Sequence, residues 1–420
     1  MKGYMRWLVG LFLVLLVIGE GTAFAEKTKI LFLWPTYTQS KIRFGESLVR
    51  QFEEANPDID VELMLEADPY AKLQVLVAGG NPPDVVWLGA GWLPYVPWFL
   101  PLDDFVRRDA AEFQTGEIIK TILDSFIWRG KLYAMPSGYQ TLATFYNKER
   151  LNEAGLAYPN DNWTMSDLLR MAQAMTKDTN GDGEFDRWGV SWLYGYIWSL
   201  LHYGGQVADP YWTKIRINNP VTEKALSLWD DWQYRYKVAP VNHGTLGMIE
   251  NGDIGIFASG IWLQENLDQA RKFDYDLVDY PLLEAEGGWH RGTVLYPEEY
   301  AIIKFTKHPE EAWRFVKFAT GRQHLTWAAR EGLLVPSRLP ILQSNAFIRP
   351  DKRMQVWITS AEYALQLLPH PMYSDLMNAF RQHWSQMSGA NPQMSIRTGL
   401  DLIAQQMQAI LDSYNAENAY

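Results

Sequence analysis

The sequence predicts an α/β fold built on mainly parallel sheets with helices on both faces. Short apolar runs alternate with amphipathic segments over residues 29–88, which is the spacing of parallel strands joined by crossover helices. The length of 420 residues suggests two or three domains and a large buried core. The chain contains no cysteine, which excludes disulfides, thiolate metal sites and cysteine nucleophiles.

Each predicted element follows from its hydrophobic period. Apolar or alternating residues predict strands over 29–34, 58–65, 84–88, 142–146, 254–258 and 300–304. Helical spacing predicts helices over 47–55, 69–78, 221–236 and 309–320, a helix capped by Thr164, and successive helices from Met354 to the end. No serine- or glycine-rich linker separates domains, so we expect the domains to share several chain crossings.

Charge and composition exclude several classes of function. The net charge of −11 disfavours nucleic acid and anionic membranes as partners. The chain lacks P-loop, G-x-S-x-G and H-E-x-x-H motifs, and the separation of carboxylate pairs such as Glu298 and Glu299 is undefined, so no glycosidase assignment follows. The 19 Trp, 22 Tyr and 18 Phe exceed what core packing usually requires.

The first 25 residues predict a secretory signal peptide. Lys2 and Arg6 precede an apolar run over 7–18, and Ala23 and Ala25 form a small-residue cleavage site. An uncleaved anchor is the alternative, but the run is shorter than the ~20 residues that span a bilayer. We therefore expect the mature chain to act in a bacterial periplasm.

Several segments match, in order, those of a known family. They lie at 78–86, 100–103, 130–136, 145–148 with 154–155, 162–164, 177–189, 257–262 and 307–313. Together, behind a signal peptide, they make the chain resemble the family 1 extracellular solute-binding proteins. These are the sugar-binding components of bacterial ABC importers, of the maltose-binding-protein type.

The resemblance implies two α/β lobes joined by a multi-strand hinge. Crossings between the lobes are expected near 139–141, 294–297 and 336–340. The N-terminal lobe then contains 26–139 and 297–338, and the C-terminal lobe contains 140–296 and 339–420.

The resemblance also implies a function. We expect a monomer that captures a neutral di- or oligosaccharide by hinge closure and delivers it to an ABC transporter permease, without covalent chemistry and without a required cofactor. Two alternatives remain open. One is a secreted carbohydrate-active enzyme, and the other is a binding protein for a non-sugar solute such as a polyamine or glycerol phosphate.

Sugars present apolar ring faces and many hydroxyls, so a sugar site needs aromatic rings beside polar side chains. The loops after the first and third strands carry Trp34, Tyr37 and Trp92, and ligands bind where parallel strands end. The resemblance adds Gln140, where relatives usually carry an acidic residue, with Trp262 and, from an aromatic cluster, Tyr196 and Trp198. Trp289 and Tyr296 near the second crossing, and Tyr373, complete the candidate set.

One loop has the spacing of a calcium site. Its oxygen ligands would come from Asp178, Asn180, Asp182, Glu184 and Asp186, with a glycine at the sixth position. The twelfth position is glycine rather than a bidentate glutamate. A structural calcium ion is therefore one prediction, and a loop held by its own side chains is the other.

Overall fold

The computed structural model describes residues 27–191, 196–209, 211–241, 244–350, 352–366 and 370–418. The predicted signal peptide lies outside these ranges. Within them, no helix combines the length and the apolar character that a membrane crossing requires.

The strands are β1 Thr28–Pro35, β2 Ile59–Glu66, β3 Val85–Val86, β4 Ile127–Trp128, β5 Lys131–Leu132, β6 Ala134–Thr141, β7 Ala143–Asn147, β8 Trp188–Ser191, β9 Ile254–Ser259, β10 Tyr275–Val278, β11 Leu283–Ala285, β12 Gly288–His290, β13 Thr293–Ile302, β14 Val335–Pro336 and β15 Ala364–Gln366.

The helices are α1 Gln39–Ala55, α2 Pro69–Ala78, α3 Asp103–Arg108, α4 Ala110–Phe113, α5 Lys120–Asp124, α6 Lys148–Glu153, α7 Met165–Met175, α8 Tyr196–Tyr203, α9 Pro220–Asp230, α10 Leu246–Glu250, α11 Trp262–Ala270, α12 Pro309–Ala319, α13 Arg322–Arg330, α14 Leu339–Leu342, α15 Val356–Tyr363, α16 Tyr373–Met387 and α17 Ile396–Glu417. A π-helical turn, Asp231–Arg235, continues α9.

Two sheets define the two lobes. The first has the order β14-β6-β13-β3-β1-β2, with β15 paired to β13, and the second has the order β10-β7-β9-β8. In the first sheet β1 lies between β2 and β3, and both pairings are parallel, as the alternation of strands and helices predicts.

The prediction that each sheet is mainly parallel was wrong in detail, because both sheets are mixed. β13 is antiparallel to β3 and β6, and β7 is antiparallel to β9 and β10. In the second sheet, β8 and β9 form the parallel pair among the described residues. In the first sheet the physical reason is the hinge, because β13 returns the chain to the first lobe and therefore runs opposite to β6, which left it.

Chain crossings connect the lobes at strands. β6 ends at Thr141 in the first sheet, and β7 begins at Ala143 in the second. β13 begins beside β15 and ends beside β3, so it carries the chain back. The expected crossings lie on β6, on β13 and just after β14. The lobe boundaries assigned from the sequence stay predictions.

The second sheet separates two hydrophobic cores, since successive strand residues face opposite sides. Phe145 and Phe257 face the core that continues into the first lobe. Tyr146 and Ala258, their neighbours in sequence, face a core formed with α7, α9 and α17.

The apolar spacing predicted that the first helix starts near residue 47, but α1 begins at Gln39. The cause is Thr38, whose hydroxyl accepts a hydrogen bond from the Lys41 amide at 3.1 Å and caps the helix. The earlier start places Lys41 and Arg43 on the first turns of α1, beside the end of β1.

Candidate functional site

A chamber of about 210 Å³ lies between the lobes. We call it the inner chamber. Its walls include Tyr37, Lys41 and Trp87 from the first lobe, Trp262 from the second, and Gln140 from the hinge strand β6. These residues lie at or just beyond the carboxyl ends of β1, β3, β9 and β6, where loops of an α/β sheet form ligand sites.

A larger cavity of about 1060 Å³ adjoins the inner chamber, and we call it the outer cavity. Both cavities are lined by Ile261, Glu265, Gly332 and Leu333, so they form one elongated cleft. The outer cavity lies between α1 and α13 of the first lobe and α11 of the second, and it carries charged side chains of both signs.

Trp262 depends on the glycine that precedes its helix. β9 ends at Ser259, and α11 begins at Trp262. A methyl group on Gly260 would lie 1.9 Å from a carbon of the Trp262 ring. Only glycine allows this close approach, so the local sequence Ser-Gly-Ile-Trp places the indole against the end of the strand.

A charged pair lies at the floor of the inner chamber. The Lys41 Nζ atom is 3.2 Å from Glu298 Oε2, and these side chains are only 12% and 5% exposed. Gln140 Nε2 donates a hydrogen bond to the other oxygen, Glu298 Oε1, at 2.5 Å. The carboxylate of Glu298 therefore accepts hydrogen bonds from both neighbours.

Aromatic rings surround the same ammonium group. Lys41 Nζ lies 3.7 Å from the ring centroid of Trp87, 5.0 Å from that of Trp34 and 5.9 Å from that of Phe44. These distances are within the range of cation–π attraction. Burial lowers the pKa of Lys41, and the charge of Glu298 opposes that change.

Glu299, the next residue on β13, is fully buried. The strand register shifts between Glu298 and Glu299, which turns the two side chains to different surroundings. Glu299 Oε1 accepts a hydrogen bond from the Leu88 amide at 3.0 Å. Burial raises the pKa of Glu299 well above that of an ordinary glutamate, and the nearby Glu298 adds to the increase.

The structure brings three predicted residues together at the inner chamber: Tyr37, Gln140 and Trp262. Tyr37 is 52% exposed, and its ring centroid lies 6.3 Å from that of Trp87. Tyr296 is half-buried and lies opposite Gln140 in the β6–β13 register, so it is next to the chamber on the hinge side.

Two predicted contact residues belong to the core instead. Trp34 and Trp92 are fully buried. The Trp34 indole donates a hydrogen bond to the Lys41 carbonyl at 2.7 Å, and Trp92 stacks on Phe99 with an interplanar angle of 13°. Neither indole presents an accessible surface to a ligand in this structure, because Phe44 of α1 and Trp87 pack on Trp34, and Phe99 and Phe126 pack on Trp92.

The remaining predicted residues are dispersed. Trp289 is exposed on the β11–β12 hairpin. Tyr373 is half-buried at the start of α16. Burial raises the pKa of Tyr296, and Tyr373 contributes to that shift, which places the two phenols in the same region. The side chains of Tyr196 and Trp198 lie outside the described residues.

The acidic loop is held by hydrogen bonds to its own backbone. Asp178 accepts from the amides of Gly181 and Gly183 at 2.7 and 2.8 Å. Asp186 accepts from the Thr179 amide and hydroxyl at 3.1 and 2.7 Å. In the part of the chain that the structure describes, no three carboxylate or histidine side chains form a group able to hold a metal ion. The loop is therefore held by its own side chains, and the structural calcium ion stays a prediction.

Sequence reasoning missed Lys41, Trp87 and Glu298. Lys41 was not expected on a helix, and Trp87 was assigned to the interior of a strand. Glu298 was noted, but its partner is 257 residues away in the chain, so no local pattern could indicate it.

Comparisons with known proteins agree with this architecture. A binding protein of Brucella abortus (strain 2308) is 22% identical over 398 residues, which cover 90% of this chain and 90% of the relative. An ABC substrate-binding protein from Listeria monocytogenes, solved in complex with cycloalternan, superposes with a TM-score of 0.76 at 21% identity and covers 94% of this chain and 100% of that one.

The maltose/maltodextrin-binding domain of Bdellovibrio bacteriovorus, bound to maltotriose, has a TM-score of 0.74 at 17% identity and covers 93% of this chain and 100% of that one. These likenesses confirm the predicted two-lobe α/β fold. The family model for bacterial extracellular solute-binding proteins matches residues 40–324, which confirms the resemblance seen in the sequence. The chain belongs to the bacterial extracellular solute-binding proteins.

Proposed function

We propose that this protein captures a neutral di- or oligosaccharide outside the cytoplasm and delivers it to the permease of an ABC importer. The observation that carries the proposal is the inner chamber, where Tyr37 and Trp262 come from opposite lobes and flank the amide of Gln140. Aromatic faces suit the apolar side of a sugar ring, and the Gln140 amide nitrogen, which donates one N–H to Glu298, has a second N–H that can donate to a sugar hydroxyl.

The shape of the cleft supports more than one sugar unit. The inner chamber of about 210 Å³ is small for a complete ligand site, whereas the adjoining outer cavity of about 1060 Å³ extends the cleft along α11 and α13. The Listeria and Bdellovibrio proteins were solved with cycloalternan and maltotriose, respectively, which supports an oligosaccharide ligand here as well.

The mechanism is closure of the lobes on the ligand. A sugar that touches Tyr37 and Trp262 together makes contacts in the closed form that the open form lacks. It therefore shifts the population towards closure by the difference in its affinity for the two forms. The closed monomer then presents one surface from each lobe to the permease. No covalent step and no cofactor takes part, and the leader over 1–25 directs the chain to the periplasm.

The test is a ligand screen with the mature chain. Tryptophan fluorescence and melting temperature are measured against mono-, di- and oligosaccharides, sugar alcohols, polyamines and glycerol phosphate. We expect a saturable change with one class of neutral sugar, a higher melting temperature, and the sugar recovered intact. Cleaved sugar would instead indicate an enzyme. A response confined to polyamines or glycerol phosphate would contradict the sugar assignment.

A further inference from the structure

The inner chamber has the composition of a site for an organic cation, but a cation of the protein already occupies it. The rings of Trp34, Phe44 and Trp87 surround the ammonium group of Lys41 at 5.0, 5.9 and 3.7 Å. Proteins bind free quaternary ammonium groups and methylated lysines in aromatic cages of this kind. Here α1 supplies the ammonium group, because the Thr38 cap starts the helix just before Lys41.

The charge of this cage is balanced within the protein. Glu298 lies 3.2 Å from Lys41 Nζ and is nearly buried. Glu299 is fully buried, and its raised pKa keeps its proton to higher pH than an ordinary glutamate. Glu298 is therefore the carboxylate that neutralises Lys41. Without Lys41, the cage would keep its aromatic walls, and the carboxylate of Glu298 would have no balancing charge. Aromatic rings beside a carboxylate are the groups that bind a polyamine.

The ammonium group also keeps contact with the chamber. Lys41 is among the residues that line it, and its side chain retains 12% exposure. An ammonium group has three donors, of which Glu298 accepts one. Lys41 can therefore donate to a hydroxyl or ring oxygen of a neutral ligand seated between Tyr37 and Trp262.

We propose that Lys41 is a specificity-determining residue, whose ammonium group fills the aromatic cage, excludes organic cations from the inner chamber and donates a hydrogen bond to a neutral sugar. The exclusion is a repulsive element, because a second cation would meet a like charge at the floor of the chamber. This inference deepens the proposed function and rests on it.

The experiment compares the mature wild-type chain with Lys41→Met and Lys41→Arg. Putrescine is the cationic probe, and maltotriose and mannitol are the neutral probes, with binding followed by calorimetry and tryptophan fluorescence. We expect no saturable binding of putrescine to the wild type or to Lys41→Arg. Lys41→Met should bind putrescine at least tenfold more tightly than the wild type does. Its affinity for a neutral probe that binds the wild type should fall by roughly tenfold or more, as expected for one lost hydrogen bond from a charged donor.

A matched control removes a different ion-paired lysine from the same lobe. Lys29 pairs with Glu62 at 2.7 Å at the opposite end of β1, so Lys29→Met should leave both affinities unchanged. If Lys41→Met melts at a much lower temperature, Lys41→Gln takes its place, since an amide keeps a donor towards Glu298 without the charge. Either uncharged variant is expected to gain putrescine binding.

Two results would overturn the inference: putrescine binding by the wild type, or folded uncharged variants that reject putrescine as the wild type does. Failure of the proposed function is distinguishable from both. It would be seen as a wild-type chain that binds no neutral carbohydrate in the screen, whereas the putrescine comparison reports on Lys41 in either case.

Discussion

Trp262 is the aromatic side chain that the second lobe contributes to the inner chamber. If a sugar ring packs on it, Trp262→Ala should weaken sugar binding by about 2 kcal/mol, or roughly thirtyfold. Calorimetric titration with the sugar identified in the screen measures this change. Tyr211→Ala is the matched control, because Tyr211 is 85% exposed in the second lobe and does not line the chamber. Equal losses in the two variants would contradict a direct role for Trp262.

His202 gives the stability of the fold a dependence on pH. It is buried on α8, with Nδ1 3.2 Å from the Thr293 carbonyl oxygen, and burial lowers its pKa from 6.5 to about 4. Between pH 6.5 and about 4, the imidazole of His202 therefore binds a proton more readily in the unfolded chain than in the folded chain. The contribution of His202 to stability is complete above pH 6.5 and is lost as the pH falls towards 4.

At about 1.4 kcal/mol per pKa unit, the loss amounts to roughly 3 kcal/mol. His202→Asn, which can keep the hydrogen bond to Thr293, should remove this part of the pH dependence. Urea unfolding at several pH values between 7 and 4 measures the free energy of unfolding of both proteins. We expect the wild type to have the higher free energy of unfolding at pH 7, and its advantage over the variant to shrink as the pH falls. If the difference in the free energy of unfolding stays constant, His202 does not titrate in this range.

At the scale of single elements, the acidic loop after α7 is a turn that stabilises itself. Asp178 accepts two backbone hydrogen bonds, each worth about 0.5–1.5 kcal/mol. We therefore expect Asp178→Ala to lower the free energy of unfolding by about 1–3 kcal/mol even in the presence of EDTA. Urea unfolding in EDTA measures this loss.

The same loop should not respond to calcium. A site with a Kd of about 0.1 mM would stabilise the fold by about 2.7 kcal/mol in about 10 mM calcium, which would raise the melting temperature by several degrees. We expect no such shift when calcium or EDTA is added to the wild type. A calcium-dependent rise that Asp178→Ala abolishes would confirm the prediction of a structural ion.

At the scale of the whole molecule, an ion pair between Arg43 and Glu265 joins the lobes across the outer cavity. Arg43 Nη2 on α1 lies 3.1 Å from Glu265 Oε1 on α11, and these side chains are 59% and 39% exposed. An exposed pair contributes up to about 1 kcal/mol and is screened by salt. Because the pair forms between lobes, it stabilises the arrangement of the lobes in this structure, and it contributes to sugar binding if the sugar is held in this arrangement.

Arg43→Ala should therefore weaken sugar binding by up to roughly fivefold at low salt, and less at high salt. Exchanging the two residues, as Arg43→Glu with Glu265→Arg, should restore most of the affinity. Arg314→Ala is the control, since Arg314 pairs with Asp58 at 2.7 Å within the first lobe. An equal effect of Arg314→Ala, or an effect of Arg43→Ala that is independent of salt, would exclude a role in closure.

Sequence patterns and the family resemblance predicted the α/β class, the order of the first three strands and two helices, the family, and three residues of the inner chamber: Tyr37, Gln140 and Trp262. The family, Gln140 and Trp262 came from the resemblance to known solute-binding proteins. The fold class, the early strands and helices and Tyr37 rest on local signals, since hydrophobic period, capping residues and the loops that follow strands depend on neighbours in the chain. The same signals could not give the direction of the strands that cross the hinge, because that direction depends on where the chain returns.

Long-range packing sets which aromatic residues face the cleft and which charges meet there. Trp34 and Tyr37 are three positions apart, yet Trp34 is fully buried and Tyr37 is half exposed, because α1 and Trp87 pack over the end of β1. Lys41 and Glu298 are 257 residues apart and form the floor of the inner chamber. Burial and ion pairing depend on contacts between residues that are far apart in the chain. Patterns among neighbouring residues therefore cannot predict them.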